Sequence, residues 1–159
     1  MRKALLCLIF LLLITGTVLP AHAADPFEKF CTAAEVEQST GIRGVRFLSK
    51  NLPQYLGGDM NFMITINGQK QMLFTVNFEN KETYGVIKHN YFKMALKGVG
   101  EEAFVGQNTS SKALDRLVFR KSGACVSIIA GKDWNAGGKS RLTVDQMTKI
   151  AKIIASRII

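Results

Sequence analysis

Histidine is scarce in this chain: His22 and His89 are the only two among 159 residues. A Ser–His–Asp or Cys–His device needs one at its centre, so beyond the first two dozen residues such chemistry would have to run through His89. Cysteine is scarce too. Cys7, Cys31 and Cys125 make no CxxC pair and have no histidine pair to join, so a tetrahedral zinc site has no ligand set to draw on. Tryptophan occurs once, at Trp134. Also lacking is an apolar run of the ~20 residues that a transmembrane helix needs. The longest, Ala4–Val18, falls short. No cofactor and no metal is called for by any of these residues.

What is present begins with a leader. Arg2 and Lys3 make a short positive start, the apolar run follows, and Pro20 precedes Ala21-His22-Ala23, a small-x-small cleavage site. This order predicts a secretory signal peptide over residues 1–23. The product, residues 24–159, is of single-domain length and is expected to be exported, to the periplasm or to the outside, with no transmembrane segment left. Loss of Arg2 and Lys3 lowers the formal charge from +9 to +7. Such a balance favours anionic partners, among them membrane surfaces, cell-wall polymers, nucleic acid and acidic proteins. The basic residues are scattered from Lys29 to Arg157 without a block, which points to solubility and to no specific nucleic-acid site. Cys31 and Cys125 remain in a compartment that permits disulfides, and a bond between them is expected, two free thiols being the alternative.

Local signals divide the product into short elements. Thr32 with Glu35 matches a capping box and Gly41 a helix stop. Arg43–Ser49 alternates as a first strand. Residues 51–58, with Pro53 and Gly57-Gly58, read as a loop. Met60–Ile66 and Gln69–Phe78 are β-rich runs around Asn67-Gly68, the dipeptide of a type I′ hairpin turn. Asn80 is placed to cap a helix over Lys81–Lys97, with Tyr84, Ile87, Tyr91, Met94 and Ala95 on one face and Gly98 as its stop. Glu102–Gln107, Leu114–Lys121 and Ala124–Ala130 follow as strands. Lys132–Ser140 reads as a loop, and Thr143 with Gln146 as a second capping box opening a C-terminal helix.

The predicted order is α-β-β-β-α-β-β-β-α: an α+β fold with an antiparallel sheet of about six strands flanked by three helices. Phe62, Ile64, Ile66, Phe74, Val76, Ile87, Tyr91, Val118, Ile128, Ile150 and Ile154 are expected to form one core. Three stretches together carry a resemblance: Cys31–Gly41, Gly98–Phe104, and the closing helix from Thr143. They resemble small exported domains and lipoproteins of unknown function, whose fold is similar to the PsbP-like α/β sandwich. The resemblance implies that fold and adaptor or binding roles, with no catalytic residues to carry over. One departure is the lipidation cysteine, since Leu6 precedes Cys7 and the apolar run continues beyond it.

Few residues offer chemistry. His89 falls on the polar face of its helix, between Lys88 and Asn90. Glu101 and Glu102 are neighbours in a strand, facing opposite sides, and cannot act as a carboxylate pair. Gly98-Val99-Gly100 follows a helix and precedes a strand, the reverse of a dinucleotide fingerprint. Asn108-Thr109-Ser110 matches a glycosylation sequon. Trp134, in a glycine-rich loop with Lys132, Lys139 and Arg141, is the best candidate binding surface, because Trp and Arg are over-represented at hot spots. The competing expectation folds Trp134 back over the sheet edge. The leading function is a non-enzymatic binding or adaptor protein contacting an envelope or secreted protein or polymer. A cationic binder of anionic surfaces and a hydrolase with an unrecognised site are the alternatives.

Overall fold

Both capping boxes are formed. Thr32 Oγ1 accepts from Glu35 N at 3.3 Å while Glu35 Oε2 accepts from Thr32 N at 2.9 Å, opening α1 (Ala33–Thr40). Thr143 and Gln146 repeat the exchange at α3 (Val144–Ser156). Gln146 Nε2 also donates to Thr40 O at 2.8 Å, tying the start of α3 to the end of α1. The computed structural model describes residues 25–49 and 59–159. The expected leader over 1–23, with Cys7, and the loop over 51–58 lie outside the described residues.

The remaining elements are β1 (Arg46–Ser49), β2 (Met60–Ile66), β3 (Gln69–Asn80), α2 (Lys81–Tyr91), β4 (Phe92–Leu96), β5 (Glu102–Gly106), β6 (Arg116–Lys121), β7 (Ala124–Ala130), β8 (Lys132–Asp133) and β9 (Lys139–Ser140). Seven strands make one antiparallel sheet in the order β1-β2-β3-β7-β6-β5-β4, and β8 pairs with β9 in a small separate ribbon. This is the α+β architecture expected, with three helices on the sheet. The Asn67-Gly68 turn is made with φ of 51° and 77°, as the type I′ geometry requires.

One helix is shorter than its periodicity implied. Met94 and Ala95 continue the helical spacing of α2, yet the helix ends at Tyr91 and Phe92–Leu96 forms an edge strand on β5. Pairing there satisfies backbone groups along the open side of β5, which a continued helix would leave without a strand partner. Gly98 and Gly100 therefore sit in a strand-to-strand turn, not at a helix stop. A β-carbon on Gly100 would lie 2.5 Å from Arg120 O.

Adjacent strand residues face opposite sides of the sheet, and the core follows that rule. Val126 and Ile128 join Phe62, Phe74, Val76, Ile150 and Ile154 in the cluster beneath α1 and α3. Cys125, Phe104 and Val118 join Tyr84 and Ile87 beneath α2, with Tyr91 packed alongside. The expected single core is thus two. Ile64 packs at the border of the first and Ile66 belongs to neither. The same division accounts for the cysteines. Cys31 and Cys125 are free, fully buried thiols, not the bonded pair expected, because Cys31 lies in the α1/α3 cluster and Cys125 in the α2 cluster, with the sheet between.

Candidate functional site

Strand β3 is longer than its partner. Phe74–Asn80 pair with Ala124–Ala130, so Gln69–Leu73 run on past the end of β7. The chain leaving β7 crosses this overhang at Gly131, whose N donates to Leu73 O at 2.7 Å. A β-carbon on Gly131 would come within 2.1 Å of Met72 O, so only glycine fits there. Beyond it, Lys132 and Asp133 pair with Ser140 and Lys139, turning the expected loop into a short hairpin.

Trp134–Ala136 form a single 3₁₀ turn at the hairpin's tip. Asp133 Oδ1 accepts from Asn135 N at 3.1 Å, and Gly137, with φ of 72°, closes the turn. Gly138 N donates to Asp133 O at 2.8 Å. The indole rests by Gly138, where an added β-carbon would lie 3.5 Å from Cζ3, and Lys132 Nζ sits 5.7 Å from the ring centroid. Trp134 is nevertheless 76% exposed and does not fold over the sheet edge.

Arg141 is the hinge between hairpin and sheet. Its Nε donates to Lys132 O at 3.2 Å, its Nη2 to Gln71 Oε1, and its Nη1 lies 3.8 Å from Asp133 Oδ2. Lys132 Nζ lies 3.5 Å from Asp115 Oδ2 and 3.3 Å from Ser111 Oγ. Asp115 is only 4% exposed. Both cations are therefore compensated by carboxylates, whereas Lys139, on β9 of the hairpin, is exposed.

Gln69, Gln71, Met72, Lys132, Trp134, Asn135 and Arg141 line a groove of about 330 Å³ between the β3 overhang and the hairpin. Sequence reasoning named Lys132, Trp134 and Arg141 from this set. Lys139 stands on the far strand of the hairpin and does not line the groove. Gln69, Gln71 and Met72 went unnoticed, since only the β3–β7 register brings residues sixty positions apart together; Asn135, the next residue after Trp134, was in reach of the sequence and was passed over. That register is itself foreshadowed by the excess length of the Gln69–Phe78 run.

The other candidates stand apart. His89 is exposed in the last turn of α2. Glu102 is held by Lys88 and, at 3.4 Å, by Arg120, an arrangement that keeps its carboxyl below the usual range chiefly through the Lys88 hydrogen bond. Glu101 accepts from Ser122 N at 2.8 Å and braces a turn. Asn108 Oδ1 accepts from the N–H groups of Ser110 and Ser111, so the sequon asparagine caps its own loop. Among the described residues no cluster of His, Cys, Asp and Glu could hold a metal ion, and no helix is long and apolar enough to cross a membrane. No protein-family model, curated protein or solved structure matches the chain.

Proposed function

We propose that this chain is an exported, non-enzymatic binding or adaptor protein that engages an envelope or extracellular partner through the Trp134 hairpin. The exposed tryptophan carries the proposal. A large indole left 76% in solvent, on a hairpin pinned by Gly131 and Arg141, forgoes burial that the fold could have used. The expected export signal and the resemblance to PsbP-like adaptor domains agree with such a role. A purely cationic surface is disfavoured in this groove, because the two cations that line it, Lys132 and Arg141, already have Asp115 and Asp133 as partners.

Trp134 is the only tryptophan, so its emission reports the site directly. Red-shifted fluorescence quenched readily by acrylamide is expected. Trp134→Ala should lower retention of the protein on isolated cell-envelope material while leaving the melting temperature nearly unchanged. Equal retention of the two proteins would remove the hairpin from the function. Cell fractionation with N-terminal sequencing tests export, and an amino terminus at Ala24 is the expected result.

A further inference from the structure

We infer that the ligand of this groove is a glycan strand of neutral pyranose units, a conclusion that rests on the groove being the binding site. Three features of its lining favour that chemistry. An indole presents a flat apolar face, which matches the C–H face of a pyranose ring and leaves the ring's hydroxyls pointing outward. Around Trp134 stand three carboxamides, Gln69, Gln71 and Asn135. Each combines donor and acceptor in one uncharged group, as sugar hydroxyls do. Gln71 is also pre-set: its Oε1 accepts from Arg141 Nη2, which holds the carboxamide in place and leaves the N–H₂ end, without a partner among the described residues, to donate.

Charge and surroundings argue against the competing ligands. An anionic polymer would need uncompensated cations in the groove itself, whereas the two that line it, Lys132 and Arg141, face Asp115 and Asp133 at 3.5 and 3.8 Å. A protein partner would need apolar surface around the anchor to exclude water. Among the described residues, the other large exposed apolar side chains, Val86, Phe92, Met94 and Ile159, belong to α2, β4 and the C-terminus, and Met72 is the apolar residue that lines the groove with Trp134.

Fluorescence titration of the whole protein with chitotetraose and cellotetraose, with poly-L-glutamate as the anionic control, tests the assignment. A saturable blue shift of the Trp134 emission with at least one tetrasaccharide, equal at low and high salt, is the expected result. By calorimetry Trp134→Ala should weaken that binding about tenfold or more, and Gln71→Ala should weaken it with the fold intact. An indole that acrylamide quenches but neither saccharide affects would overturn the glycan assignment and leave the groove available to another partner. A response to poly-L-glutamate alone, fading with salt, would do the same. An indole that acrylamide cannot reach would overturn the binding site itself. Saccharide binding that survives in Trp134→Ala would place the sugar elsewhere and overturn the assignment as well.

Discussion

A β-carbon at position 131 would meet Met72 O at 2.1 Å, far inside any real contact, so one hydrogen atom decides whether the hairpin can lie on β3. Gly131→Ala must push the two backbones apart and break the 2.7 Å bond to Leu73 O. The expected cost is about 1–3 kcal/mol, as for other overpacked sites, with a shifted Trp134 emission. An unchanged melting curve and spectrum would show that the hairpin is not anchored there. The cysteines make a second residue-scale case. Burial pushes the Cys31 thiol up to about 12, with Glu35 adding to it, and the Cys125 thiol up to about 11. Thiolate is the reactive form, so neither should react at neutral pH in the native protein, and both should react once it is denatured. Rapid modification of either in the native state would mean that the sheet opens locally. Nothing in the spacing of residues 31 and 125 announces that they lie under different faces; that follows from the parity of β7.

Among elements, α1 is the shortest α-helix of the described residues and depends most on its ends. Arg157, just beyond α3, holds Glu35 with two hydrogen bonds, Nη1 to Oε2 at 3.0 Å and Nη2 to Oε1. It also donates to Lys29 O at 3.2 Å, so the C-terminus clasps the segment leading into α1. The Arg157 hydrogen bond holds the Glu35 carboxyl down at about 2, helped by Thr32 and opposed by partial burial. The folded-state value therefore lies below the unfolded one, and through this window the unfolded chain binds more protons. Stability from this pair is complete above about 4.5 and is lost as the pH falls toward about 2. Glu35→Gln should lower the melting temperature at neutral pH and flatten its fall in acid. Glu102 contributes in the same direction, but at 38% side-chain exposure its share is screened by solvent. Equal acid sensitivity of Glu35→Gln and the parent protein would assign the effect to other carboxylates.

At the scale of the whole molecule, what was legible in the sequence was what is local. Thr32/Glu35, Thr143/Gln146 and Asn67-Gly68 set their own backbone within a few residues, and each element they announce is present. Residues 92–96 were not legible, because Met94 and Ala95 satisfy a helical spacing and the decision lay with the open side of β5. The groove was half legible for the same reason: Trp134 and its cations are neighbours in sequence, and the glutamines opposite arrive only through strand pairing. β4 shows what that pairing costs. It is an edge strand, with Phe92 48% and Met94 42% exposed and one row of backbone groups unpaired by any strand among the described residues. Such an edge templates association unless charge blocks it, and lysine is the usual block. Lys93, within β4, and Lys97, just after it, are both exposed and stand where an incoming strand would lie. Two copies meeting at β4 would bring four like charges together. Replacing Lys93 and Lys97 with valine removes that repulsion and raises β-propensity in the same step. The variant should associate in a concentration-dependent way by light scattering, with its melting temperature at low concentration close to the parent's. A variant that stays monomeric at high concentration would show that the bulge between Phe92 and Met94 already bends this edge out of reach.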